Sequence, residues 1–166
     1  MSTTVVADSS ALWDQLLQLY RASDMIGVNA RLSAPDVDRV GVIRYGLKHQ
    51  RGGHERGLVF HLLRGASPAQ LQELFPELIQ LARAAHGPIQ RVWELILSLP
   101  RDWVLNRIEC EVNPILAGEE YDDYWMFLEL YERLDHSLAR RLAERALAHA
   151  DPDIRERGEM TLEHLA

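Results

Sequence analysis

The sequence is poorest in cysteine: Cys110 stands alone among 166 residues, which excludes an internal disulfide and fits a reducing compartment. Its neighbours Glu109 and Glu111 disfavour a thiolate, so Cys110 reads as a small buried apolar residue rather than a nucleophile. Long apolar runs are missing as well. No window approaches the eighteen or so residues of a membrane span, and the opening MSTTVVADSSALW lacks the basic start and apolar stretch of a secretory signal. These absences lead to the expectation of a cytoplasmic chain without membrane contact. Basic charge is short too: 18 Lys plus Arg stand against 25 Asp plus Glu, a formal charge of −7 that opposes attraction to phosphate backbones. Nucleic acid is therefore not expected as a partner, whereas a basic protein would be steered towards the chain. β-branched runs of period two are absent, which leaves a sheet without material.

What is present is helical periodicity in a chain that is 47% hydrophobic, enough for an ordinary core. The first element is expected over Ser10–Ala22, where Leu12, Leu16 and Leu19 recur at helical spacing behind a serine-rich start. Residues 1–9 are expected to be disordered. The stretch 23–53 carries five glycines and Pro35 and reads as irregular, with one short helix over Pro35–His49. From about residue 54 the pattern becomes regular, and predicts helices near 54–65, 68–85, 88–99, 101–117, 120–134, 136–149 and 152–165. The expectation is one all-α domain over 1–166, with about eight or nine helices.

Two parts of this series read as copies of one unit. In 71-LQELFPELIQLARAAHGPIQRVWELILSL-99 a helix with an early Pro76 meets a Gly-Pro turn and then Ile89, Arg91 and Val92. In 138-LARRLAERALAHADPDIRERGEMTLEHL-165 a helix meets Asp-Pro-Asp and then Ile154 and Arg155. Arg91 and Arg155 lie two helix-pair periods of about 32 residues apart.

On LFPELIQLA and ADPDIRERGEMTLEHL the sequence resembles the HEAT repeat family over residues 68–165. The resemblance implies a short right-handed solenoid of antiparallel helical hairpins. The second helices of successive pairs, 54–65, 88–99, 120–134 and 152–165, would then line its concave face. Gly158 departs from the small alanine usual there, and the Arg91 unit lacks the turn aspartate. One branch of the family, the bacterial alkylpurine DNA glycosylases, has a basic concave face. This chain is unlike it in net charge.

The candidate surface is in 119-EEYDDYWMFLELYERLD-135, which holds five aromatic residues and seven carboxylates. Apolar residues cover most of its helical wheel, so its middle, including Trp125, Phe127 and Leu128, is expected in the core. Its start differs. Tyr121 and Tyr124 have polar tips suited to interfaces, and Glu119, Glu120, Asp122 and Asp123 are more acids than a helix dipole calls for. The expected partner-binding set is Tyr121, Asp122, Asp123, Tyr124, Glu119 and Glu120, with Trp93, Arg91 and Arg155.

No metal or cofactor is expected. His54 and His61 share a helix face, but no ligand stands three or four residues from either. His86 and His149 precede turns and read as cations at helix C-termini. Arg140, Arg141, Arg145, Arg155 and Arg157 alternate with Glu144, Glu156 and Glu159, as helix-surface ion pairs would. The chain has no G-x-S-x-G setting and no glycine-rich phosphate loop. The expectation is a non-enzymatic module, monomeric or dimeric, that occludes a basic protein partner in the style of immunity proteins. A scaffold that self-associates through apolar repeat ends, and a small enzyme with a polar pocket, are the competing readings.

Overall fold

The computed structural model describes residues 8–83, 89–118 and 120–166. Among them the protein is all-helical, without a strand. Its contacts separate into two compact units, 1–77 and 78–166.

In the first unit α1 (Ser9–Arg21) packs against α2 (Met25–Leu32), α3 (Arg39–His49) and α4 (Gly53–Arg64), and α3 packs on α4. The stretch 23–53, expected to be irregular apart from one helix over Pro35–His49, thus carries two helices: α3 falls within the expected one, and α2 is additional. Each starts at an aspartate followed three residues later by glycine: Asp24 accepts from the Gly27 N–H and Asp38 from the Gly41 N–H, both at 2.8 Å. Such a cap satisfies one of the four N–H groups that a helix start leaves unpaired. The cap at Asp38, and not Pro35, sets the start of α3. Gly46 of α3 lies so close under the Trp13 ring of α1 that a Cβ has no room. Arg44 ties α3 to the segment around residues 73–77, donating from Nε to Glu77 Oε1 at 2.5 Å and from Nη2 to the Glu73 carbonyl at 2.8 Å.

The helix expected over 68–85 is broken. α5 (Pro68–Glu73), with a reciprocal Ser67–Gln70 cap, ends at Leu74, and α6 (Phe75–Ala82) starts afresh. Pro76 has no N–H to give and its ring would meet the carbonyl four residues back, so a continuous rod cannot pass through it.

In the second unit α7 (Ile89–Leu97) is followed by α8 (Arg101–Leu105) and α9 (Ile108–Leu116), where one helix over 101–117 was expected. α8 closes at Asn106, whose N–H returns to the Asp102 carbonyl. Then come α10 (Tyr121–Leu134), α11 (His136–Leu147) and α12 (Pro152–His164), which pack on one another, with α9 also against α10. The breaks at Leu74 and Asn106 and the extra helix α2 make the helices shorter and more numerous than eight or nine. α10 buries Tyr124, Phe127, Leu128, Leu130, Tyr131 and Leu134, so Phe127 and Leu128 are core as expected, whereas Trp125, expected with them, falls at the edge of the inward stripe and is only half-buried. Burial pushes the Tyr131 phenol far above its ordinary value.

Cys110 is exposed, not buried. α9 turns Ile108, Val112 and Ile115 inwards, and a residue two positions after Ile108 falls on the opposite side of the helix. Among the described residues no helix is long and apolar enough to cross a membrane.

Candidate functional site

α10 begins with Tyr121, Asp122 and Asp123 in its first turn, and no side chain caps it. The three residues point in different directions. Asp123 turns inward, 2% exposed, and receives two hydrogen bonds from Arg83, Nε to Oδ1 at 2.8 Å and Nη2 to Oδ2 at 2.6 Å. Tyr124, one residue on, is also 2% exposed, its ring edge-on to His149 at 5.3 Å. Both residues are therefore removed from the expected contact surface. The inward stripe of α10 reaches its first turn, and Arg83 supplies the counter-charge that lets a carboxylate sit there. Asp122 and Glu120 remain exposed. Glu119 and His86 lie outside the described residues.

The other expected contacts also part company. Trp93 is 1% exposed, beneath the Arg133 guanidinium at 4.7 Å. α7 turns it inward with Val92 and Ile96, so it offers a partner no surface. Arg155 donates to the carbonyls of His149 at 2.9 Å and Ala150 at 2.7 Å, and so fastens the turn between α11 and α12. Arg91 is exposed. His149 stands at the turn after α11, where its Nδ1 accepts from the Asp151 N–H at 3.0 Å.

What the structure assembles instead is a hollow between α10 and α12. Asp151 caps α12, Pro152 takes its first position, and Ile154, Gly158 and Thr161 form its buried stripe. Gly158 lets α12 come close to α11: a Cβ there would lie 2.8 Å from the Ala143 carbonyl oxygen. The adjoining stripe of Asp153, Glu156, Arg157 and Met160 then meets Tyr121 and Trp125 around a hollow of about 160 Å³. Tyr121 and Trp125, four residues apart, share a face of α10. Their rings meet edge-on at 5.8 Å and 66°. The Arg157 guanidinium lies over the Trp125 ring at 4.3 Å, and its Nε is buried without a hydrogen-bond partner. Met160 at the border is 49% exposed.

The electrostatics are uneven. Burial pushes the Tyr121 phenol up from its ordinary value; Arg157 opposes this, while Asp153, Glu156 and Asp122 reinforce it. Three carboxylates and one guanidinium thus act on the same ring. Among the described residues none of these three carboxylates is in an ion pair, although Asp123, Asp135, Glu55 and Glu77 are.

Trp125, Asp153, Glu156, Arg157 and Met160 are absent from the expected set. The signal for Trp125 was its i, i+4 spacing from Tyr121. The α12 residues gave none, because their arginines and glutamates read as ion pairs. Among the described residues no such pair forms with Glu144, Glu156 or Glu159. Arg141 reaches Glu109 at 3.0 Å, Arg145 reaches Asn113 at 2.9 Å, and Arg140 donates to the Leu165 carbonyl.

A second hollow of about 330 Å³ is lined by Arg101, Glu132, Arg133, Asp135 and His136. Its arginines are committed: Arg101 to Asp135 and the Leu134 carbonyl, Arg133 to Gln90 and Glu129. Among the described residues no three His, Cys, Asp or Glu side chains gather as metal ligands would. No protein-family model matches the chain, and no curated protein or solved structure is significantly similar to it.

Proposed function

We propose that this protein is a non-enzymatic binding module that docks a basic segment of another protein on the face formed by Tyr121, Asp122, Trp125, Asp153, Glu156 and Met160. One observation carries the reading. A pair of half-buried aromatic rings borders a surface hollow beside three carboxylates, Asp122, Asp153 and Glu156, that form no ion pair among the described residues and outnumber the one guanidinium there, Arg157. Aromatic anchors with a charged surround are what a protein interface uses: the rings supply residence time, the charges supply encounter rate and partner choice. The formal charge of −7 extends that attraction over the distance at which encounter begins. Occlusion of a basic working surface, as immunity proteins achieve, is the form of action this arrangement serves. The HEAT-like reading of residues 68–165 as stacked helical pairs is proposed with it, and the packing of α10, α11 and α12 supports it.

The test compares the wild-type chain with the double variant Asp122→Lys, Glu156→Lys as baits at matched concentration. Basic proteins retained by the wild type and lost by the variant are then measured for association rate against salt. The expected result is a steep fall in rate with salt for the wild type, and a slower, flatter response for the variant. Capture that does not depend on these residues, or that brings down acidic proteins, overturns the reading.

A further inference from the structure

The hollow is small. At about 160 Å³ it lies below the 300 Å³ or so at which pockets hold cofactors or drug-sized molecules, and it suits one side chain. We infer that it is the seat for a single lysine or arginine side chain of the partner, and that Arg157 is an internal place-holder which the incoming cation displaces. The inference rests on the docking face proposed above and names what that face grips.

Three features support it. A guanidinium already lies over Trp125 in the free chain, at 4.3 Å, so the indole face demonstrably receives a cation. The attraction is that of the negative ring face for positive charge, strongest for tryptophan. Tyr121, inclined at 66° to Trp125, makes a second wall, and Asp153 and Glu156 border the same space. The site is thus negative on balance even with Arg157 in place.

Arg157 is also held without a fixed acceptor. Its Nε has no hydrogen-bond partner, and among the described residues it forms no ion pair. By comparison Arg83 makes two bonds to Asp123, and Arg44 reaches both Glu73 and Glu77. Moving Arg157 aside breaks one stacking contact, and an incoming cation restores it while adding contact with Asp153 and Glu156. A carboxylate ligand, the opposite choice, would gain Arg157 but face Asp122, Asp153 and Glu156.

The test is a titration of the full chain, labelled with nitrogen-15 and followed at the four tryptophan indole N–H signals. The signal of Trp125 is assigned from Trp125→Phe. The probes are the N-acetyl methylamides of lysine, norleucine and glutamate. The lysine probe is expected to shift the Trp125 signal saturably at millimolar concentration, and norleucine, which keeps the four-carbon stem and lacks the ammonium, is not. Arg157→Gln is expected to tighten the lysine probe roughly three- to tenfold, and Asp153→Asn with Glu156→Gln to weaken it by a similar factor. Unmoved signals of Trp13, Trp93 and Trp103 show that each variant is folded.

Weaker lysine binding in Arg157→Gln, preference for the glutamate probe, equal response to norleucine, or no saturable shift in either the wild type or Arg157→Gln overturns the inference. The readout needs no partner protein. A positive titration beside failed capture removes the docking face and keeps the cation seat; the reverse removes the seat alone.

Discussion

Arg83 grips Asp123 with two parallel hydrogen bonds, at 2.8 and 2.6 Å, and the carboxylate they hold is 3% exposed while the arginine is 39% exposed. The pair lies one residue from Asp122, which is open to solvent. Neighbouring aspartates on one turn therefore do different work. Asp123→Ala leaves a guanidinium without its acceptors and empties a buried position, at a cost of about 2–3 kcal/mol, reduced from the fully buried case because Arg83 is partly solvated. Asp122→Ala is expected to cost under about 0.5 kcal/mol, as at other surface positions. Urea denaturation of the two variants separates them, and equal losses would refute the assignment of Asp123 to the interior.

This contrast shows why the fold was more legible than the site. Helical period and composition told the class, and the wheel of α10 placed Phe127 and Leu128 in the core, though it also placed Trp125 there, which is half-buried. Periodicity could not say on which side of the apolar stripe a flanking acid falls. That was settled for Asp123 by an arginine forty positions away in sequence. The stretch 23–53 misled for a local reason. Its glycines lower helix propensity, yet Gly27 and Gly41 each stand three residues after a capping aspartate, where the folded-back carboxylate leaves no room for a Cβ. Arg157 was illegible because a guanidinium above an indole and a guanidinium beside a glutamate come from the same alternating charges.

Ser23 has φ of 60°, the left-handed region where a non-glycine residue is strained. It ends α1: its N–H reaches the Tyr20 carbonyl at 3.0 Å, and the Asp24 N–H reaches the Leu19 carbonyl at 2.9 Å. Two such bonds beyond the last turn are the usual helix stop, with glycine the residue that suits it. Ser23→Gly relieves about 1–2 kcal/mol of strain and adds about 0.5–1 kcal/mol of unfolded-state freedom, for a net gain of about 0.5–1 kcal/mol. A higher urea midpoint at unchanged slope is the expected result.

Asp135 gives the molecule a signed response to acid. Its carboxyl lies below the ordinary value, first because it accepts the Leu138 N–H at the start of α11 and then because of Arg101. The native state therefore binds fewer protons there than the unfolded chain, and stability rises with pH across the interval between the two values. The contribution is complete above the unfolded value of about 4, and disappears as pH falls through the lower folded one. The stability gap between wild type and Asp135→Ala should be constant from pH 8 to about 5 and narrow steadily below about 4. A gap that stays constant into strong acid would show that the charge of Asp135 has no part in the cap.

Gly158 sets the distance at which α12 lies from α11, and with it the geometry of the hollow. A methyl group there would meet the Ala143 carbonyl oxygen at 2.8 Å and the Ala146 Cβ at 2.9 Å, and neither can swing away as the end of a long side chain could. In an isolated helix glycine to alanine is worth about 1 kcal/mol of added propensity. Overpacking against backbone costs about 1–3 kcal/mol or more, so Gly158→Ala is expected to lose about 1 kcal/mol net. The displacement has a direction: α12 moves off α11 and carries Arg157 with it, changing its place on Trp125. The variant should therefore shift the Trp125 indole signal, leave those of Trp13 and Trp103 in place, and weaken the lysine probe. If Gly158→Ala instead gains the full helix propensity and leaves Trp125 unmoved, the close approach of α12 is not what builds the seat.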